Sequence, residues 1–194
     1  MKILVTGFEP FGGKERNSSW ETAARIGMLS FDGVDVEVRR LPVSFSRVGE
    51  CIDRLLDEVQ PDVLLMLGQR TSGSSIDIER VAVNLMDAAK PDNDGQIPDE
   101  QQVNPSGETA YFTKMPVKVL RDALLQKGIA SRVSNSAGLF VCNCTYYNAL
   151  HAISSRGLHT DALFVHIPVI SEAFPVETMV EAISDIIRNI NSRI

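Results

Sequence analysis

No run of lysine or arginine interrupts this chain, and its 19 basic side chains are outnumbered by 25 acidic ones, for a formal net charge of −6 over 194 residues. Without a cationic face a protein has little with which to track phosphates, so a small or neutral partner is expected, with no nucleic-acid and no membrane role. Long hydrophobic runs are lacking too. Nothing approaches the roughly 20 apolar residues that cross a bilayer. Met1-Lys-Ile-Leu-Val-Thr-Gly7 enters a strand directly, with too short an apolar run for a secretory signal and no cleavage site of small residues. Cysteine is scarce: Cys51, Cys142 and Cys144 form no even framework, which points to free thiols in a reducing compartment, the cytoplasm. There is no repeat and no low-complexity segment. At 44% hydrophobic content the chain suffices for one domain, residues 1–194, with a core of ordinary size.

Several motifs of common chemistry are missing as well. The loop Gly7-Phe-Glu-Pro-Phe-Gly-Gly13 has neither the G-x-G-x-x-G spacing nor the Lys-Ser/Thr ending of a phosphate loop. Two aromatic side chains, Phe8 and Phe11, stand where backbone amides would have to approach closely. They suit a flat apolar ring better, although either alone could equally plug the edge of a sheet. Cys142-x-Cys144 with His151 matches no usual zinc spacing, and residues i and i+2 of one helix project to opposite sides. Neither a metal site nor a Cys142–Cys144 disulfide is expected, and Cys144 reads as a packed thiol.

What is present is an alternation of strand and helix patterns. Residues 2–6, 62–68 and 161–168 read as strands, the first two as short apolar runs of the buried kind; 34–41, 76–83 and 130–133 read as further strands. The segments 34–41 and 76–83 alternate as half-covered strands do. Helices are expected from an Asn17 cap to about residue 28, over 44–60 and 116–127, from the Cys142 stretch to near Gly157, and from 175 to about 193. Val48, Cys51, Ile52, Leu55, Leu56 and Val59 share a helical stripe, which assigns Cys51 to the core. Residues 84–115 turn polar and rich in Pro and Gly, and read as a long loop, functional or mobile. The order specifies an α/β fold, a three-layer α/β/α sandwich around a mostly parallel, twisted sheet. Ligands are then expected at the carboxyl ends of strands. The loops at 7–13 and 69–75, the turn before Cys142 and the His166-Ile-Pro168 segment should leave the sheet at that edge and converge.

Cys142 follows a strand end and an Ala137-Gly138 turn, in the first turns of a helix. Amides at a helix N-terminus favour thiolate over thiol and can receive an oxyanion. Against this, buried cysteine is usually a small apolar group, and Cys142 shares a stripe with Tyr146, Ala149 and Ile153. A thiol nucleophile needs a base and a group to orient that base. Of three histidines, His151 falls mid-helix and His159 in a polar connection, where solvated or capping roles are expected. His166, at a strand end before Pro168, is the best placed, although such a histidine is more often structural. Glu79, between Ile78 and Val81, is the candidate to orient it; its plainer reading is a solvent-face ion pair with Arg80.

Taken together the chain resembles the pyroglutamyl peptidase I (pyrrolidone-carboxylate peptidase) family of cysteine exopeptidases. The likeness runs through Thr6-Gly-Phe-Glu-Pro-Phe-Gly-Gly13, Asn17-Ser-Ser-Trp-Glu21, Leu67-Gly-Gln69, Glu79-Arg-Val-Ala-Val-Asn84, Pro91-Asp-Asn93, Ser136-Ala-Gly-Leu-Phe-Val-Cys-Asn143 and His166-Ile-Pro168, in family order and at about family spacing. The resemblance implies that Cys142 is the nucleophile, His166 the general base and acid, and Glu79 its orienting partner. It implies that Phe8 and Phe11 hold a pyroglutamyl ring while Gln69 and nearby backbone bond the lactam. The implied partners are peptides with N-terminal pyroglutamate, the implied assembly is a homotetramer, and no metal or organic cofactor is required.

The chain departs from the family pattern at four places. Ala89 stands where an arginine is usual, with Lys90 beside it; the loop after Gln69 lacks a glycine pair; Ile78 replaces a proline; and Cys144 replaces a histidine. Two alternatives therefore accompany the exopeptidase reading. One is a diverged member that binds or slowly hydrolyses a related lactam or cyclic amide, the other a small-molecule-binding α/β module without covalent chemistry.

Overall fold

The computed structural model describes residues 1–192. Its elements in order are β1 Lys2–Phe8, α1 Ser18–Ile26, β2 Asp35–Leu41, α2 Val48–Val59, β3 Val63–Arg70, β4 Ile76–Glu79, β5 Val81–Val83, β6 Ala110–Phe112, α3 Val117–Gln126, β7 Ser131–Ser134, α4 Val141–Arg156, β8 Asp161–Pro168 and α5 Val176–Asn191. Six strands form one sheet in the order β2-β1-β3-β8-β4-β7, and β5 pairs with β6 in a small second sheet. β2, β1, β3 and β8 run parallel, as the buried apolar runs require, since a parallel sheet is covered on both faces. One apolar cluster packs α1, α3 and α5 against one face; a second packs α2 and α4 against the other. These are the expected three layers. Among the described residues no helix is long and apolar enough to cross a membrane.

Element ends follow local chemistry. The Asn17 side chain accepts from Ser19 N and caps α1. Gly128, with φ of +77° beyond α3, takes the left-handed conformation that a β-carbon disfavours. The segment 44–47 is a turn rather than helix: Ser44 Oγ accepts from Arg47 N at 3.2 Å, so α2 starts at Val48. The expected helix end at residue 193 lies outside the described residues.

Two expectations are corrected. β4 pairs antiparallel to β8 and parallel to β7, so both β4 and β7 run against the rest of the sheet. The turn before Cys142 therefore does not leave the carboxyl edge with the parallel strands; residues 135–140 carry the chain back to reach it. Segment 76–83 is not one half-exposed strand either. Ile76, Asp77, Ile78 and Glu79 are all buried, and the chain then leaves the main sheet at Arg80. Alternation failed as a guide because the polar positions, 77 and 79, face charged partners instead of water. Residues 84–115 hold the short strand β6 and a Met86–Gln101 bridge within what is otherwise loop, as expected.

Candidate active site

β3 is buried as far as Gln69, which belongs to the strand rather than to a loop. Its neighbour Gly68 pairs with His166 of β8. A β-carbon at Gly68 would lie 2.7 Å from the Phe164 ring and 3.1 Å from Cys142 Sγ, so this backbone must be bare for the thiol to sit over it. Cys142 occupies the second position of α4, behind the Phe140 N-cap, and is half-buried. At that position the amides of Val141 and Cys142 have no intrahelical acceptor. α4 is anchored from below by Asn143, whose side chain accepts from Val83 N at 3.0 Å and donates to the Val83 and Leu85 carbonyls at 2.9 Å.

His166 is 5% exposed and Glu79 fully buried. Glu79 Oε1 lies 2.8 Å from His166 Nδ1, which fixes the ring edge that faces the carboxylate and leaves Nε2 for the cavity. Burial works to lower the imidazole's proton affinity, but the neighbouring Cys142 and Glu79 overcome it and raise the pKa to about 9. The solvent-face reading of Glu79 is thus overturned: its partner is the histidine, with Arg70 Nη2 a further 3.4 Å away.

Cys142, His166, Gln69, Phe8 and Phe11 line one cavity of about 970 Å³. Phe8 is nearly buried at its floor and Phe11 half-buried, stacked at a tilt on Phe140 with centroids 6.4 Å apart. Gln69 Oε1 accepts from Ser18 N at 2.8 Å and Ser18 Oγ at 3.0 Å. A backbone N–H can only donate, so the amide orientation is fixed and Nε2 is left buried without an acceptor.

The other wall is loop. Glu9 Oε1 accepts from Val43 N at 3.0 Å and Asn93 Nδ2 at 2.9 Å, and Asp92 Oδ2 accepts from Phe45 N at 2.8 Å. These bonds seat residues 87–91 over the cavity. Ala89 and Lys90 both line it, because the chain bends there instead of running extended and alternating.

The remaining candidates sort out plainly. Cys144 is buried, its pKa pushed up to about 12 by desolvation. Cys51 is half-buried, not core, at the margin of the α2 stripe. His151 is neither solvated nor capping: it bonds Tyr111 Oη at 3.0 Å and stacks on Tyr147. His159 is exposed. Among the described residues no group of three or more His, Cys, Asp or Glu is placed to hold a metal. Sequence reasoning missed Ser18 as the clamp on Gln69, and Arg70, Asp77 and Arg132 behind the imidazole. For Asp77 a signal existed, since its i, i+2 relation to Glu79 puts both on one face of a strand.

Comparison with known proteins agrees with this geometry. Residues 1–186 match the family model described as pyroglutamyl peptidase. The pyrrolidone-carboxylate peptidase of Thermococcus onnurineus is 40% identical over 97% of this chain and 98% of its own length. That of Pyrococcus furiosus is 39% identical over 89% of this chain and 83% of its own. Among solved structures, a mutant pyrrolidone carboxyl peptidase from P. furiosus superposes with a TM-score of 0.93 at 35% identity, covering 97% of each chain. Bacillus amyloliquefaciens pyroglutamyl peptidase I does so at 0.89 and 32%, covering 95% and 93%.

Proposed function

The chain belongs to the pyroglutamyl peptidase family of cysteine peptidases, and from that premise we propose that it is a thiol exopeptidase removing N-terminal pyroglutamate from peptides. The observation that carries the proposal is the line from Cys142 through His166 to buried Glu79, ending in the cavity that also holds the unpaired Gln69 amide.

Pyroglutamate has no free α-amine, so its site has to be apolar and uncharged yet satisfy a lactam. The ring lies between Phe8 and Phe11, its carbonyl accepting from Gln69 Nε2. A prolyl residue would leave that donor unpaired in a buried place, a cost that separates such analogues by orders of magnitude. The Cys142 thiolate attacks the carbonyl after the ring, forming the S–C bond while the oxyanion takes hydrogen bonds from the first-turn amides of α4. Imidazolium His166 gives its proton to the departing amine as the C–N bond breaks. The neutral ring then takes a proton from water, whose oxygen attacks the thioester and returns the thiol. Glu79 holds the ring and its charge throughout. The chain acts as one domain, and we read it as cytoplasmic from its cysteine usage and as a homotetramer on family likeness alone.

A second reading rests on Ala89, which lines the cavity at a position where the family resemblance implies arginine: a diverged enzyme for a related cyclic amide. The test is release of a fluorescent amine from pyroglutamyl and prolyl amides under reducing conditions, by wild type and Cys142→Ala. Cleavage confined to the pyroglutamyl amide and abolished by the substitution is expected. A folded wild type that leaves the pyroglutamyl amide intact would move the second reading ahead.

A further inference from the structure

Behind the imidazole lies a row of charges that the proposed reaction does not consume. Arg132 of β7 donates from Nε and Nη2 to the two oxygens of Asp77, at 2.7 and 2.8 Å, and Ser75 Oγ adds a third bond at 2.8 Å. Asp77 Oδ2 is also 2.9 Å from Arg70 Nε, although that N–H has no acceptor in line, so the contact is one of charge. Arg70 Nη2 in turn donates at 3.4 Å to Glu79 Oε1, the oxygen that faces His166. The carboxylates of Asp77 and Glu79 are 1% and 0% exposed, Arg70 only 27%. Charges so far removed from water persist only when paired, and removing one leaves its neighbour uncompensated. The Asp77 carboxyl is accordingly held below its usual range: burial opposes this, and the Arg132 and Ser75 hydrogen bonds with the charge of Arg70 outweigh it. Arg70 reaches across the end of β8 to bring this about, since its register partner there is Pro168.

We propose that Arg70 is a positioning residue for the thiol–imidazole pair: fixed by Asp77, and through it by Arg132, its guanidinium holds the Glu79 carboxylate against the Nδ1 edge of His166. The inference rests on the peptidase reading of Cys142 and His166. Charged or titratable groups facing the imidazole are Cys142 from α4, Glu79 and Asp77 from β4 and Arg70 from β3, with Tyr146 of α4 donating to the Glu79 carbonyl, Arg132 of β7 behind Asp77 and Lys14, Asp87 and Lys90 across the cavity. Of these, Arg70 is the cation shared with the histidine's own carboxylate. It repels the imidazolium and draws on the charge of Glu79, so its removal makes His166 hold its proton to higher pH.

The experiment uses the full chain with Cys51→Ser, comparing Arg70→Met, Arg70→Lys and Arg132→Met. Two readouts are followed from neutral to alkaline pH: alkylation of Cys142 by iodoacetamide, located by mass spectrometry, and hydrolysis of a pyroglutamyl amide. Arg70→Met is expected to move the alkaline step of both upward by about half a unit to one unit, and to lower kcat more than it raises KM. Arg70→Lys restores the step, and Arg132→Met, at a more exposed site, moves it the same way by less. Should Arg70→Met fold poorly, the Arg132→Met shift carries the test. An unmoved step, an effect confined to KM, or a uniform loss that lysine does not rescue overturns the proposal. Alkylation needs no substrate, so a wild type that alkylates with the expected step but never cleaves the amide sinks the peptidase reading and still answers this one.

Discussion

The two walls of the cavity are built on opposite plans. On the thiol wall, β3, β4, β8 and the start of α4 supply every group, and Glu79 and His166 are almost wholly buried, one hydrogen bond apart. On the facing wall, the loop after β1 and residues 87–91 supply exposed or half-buried side chains, held by Glu9, Asp92 and Asn93. Proton transfer tolerates little displacement, and regular elements in a packed interior give little. Enclosing a ring and an outgoing peptide asks for shape that can vary, which loops provide on a fixed scaffold. On the proposed peptidase reading, chemistry and selectivity are separable here, and substitutions can pull them apart.

The sharpest break is on the thiol wall. Glu79→Gln keeps the side chain's shape but removes the charge that fixes the His166 tautomer. A fall in kcat of roughly a hundredfold to ten-thousandfold is expected, with KM little changed. Equal turnover by the variant, measured by initial rates on a pyroglutamyl amide, would remove Glu79 from the mechanism. Gln69→Leu lies where the walls meet and should sharpen the contrast. It removes the orphan donor while keeping volume, so selectivity for pyroglutamyl over prolyl amides should collapse by about tenfold to a hundredfold. If that ratio is unchanged, the lactam is held elsewhere. The gentlest change is Asn93→Ala, which cuts two bonds, to Glu9 and to the Pro10 carbonyl, each 2.9 Å long. Each is worth about 1 kcal/mol, so KM should rise about fivefold if one bond matters and about thirtyfold if both do, with kcat nearly constant. A drop in kcat of that size instead would show that the loop wall also governs the chemistry.

Particular residues show what could be read in advance. The run at 62–68 betrayed β3 because a strand covered on both faces has no place for polar side chains. Cys142 could be singled out as a candidate from its turn-and-helix setting and His166 from its strand end, and the fold brings both to one cavity. Glu79 was not distinguishable from a surface glutamate on pattern alone, because alternation records which positions are polar and not what they face. Asp77 misled for the same reason. Ser18 could not be foreseen as the residue that orients Gln69, since the two are 51 positions apart and meet only when α1 docks on β1. That docking turns on Gly7, where a β-carbon would fall 2.5 Å from the Ser19 carbonyl oxygen.

By itself, then, the sequence determined the layers and the parallel core of the sheet, because hydrophobic period and turn chemistry are local and survive in one dimension. Strand direction at β4 and β7, the burial of Glu79, the charge row through Arg70 and the tilt of a loop that brings Ala89 and Lys90 to one cavity were decided only in three dimensions. Each depends on which distant groups share a low-dielectric space, and that is a property of the packed chain.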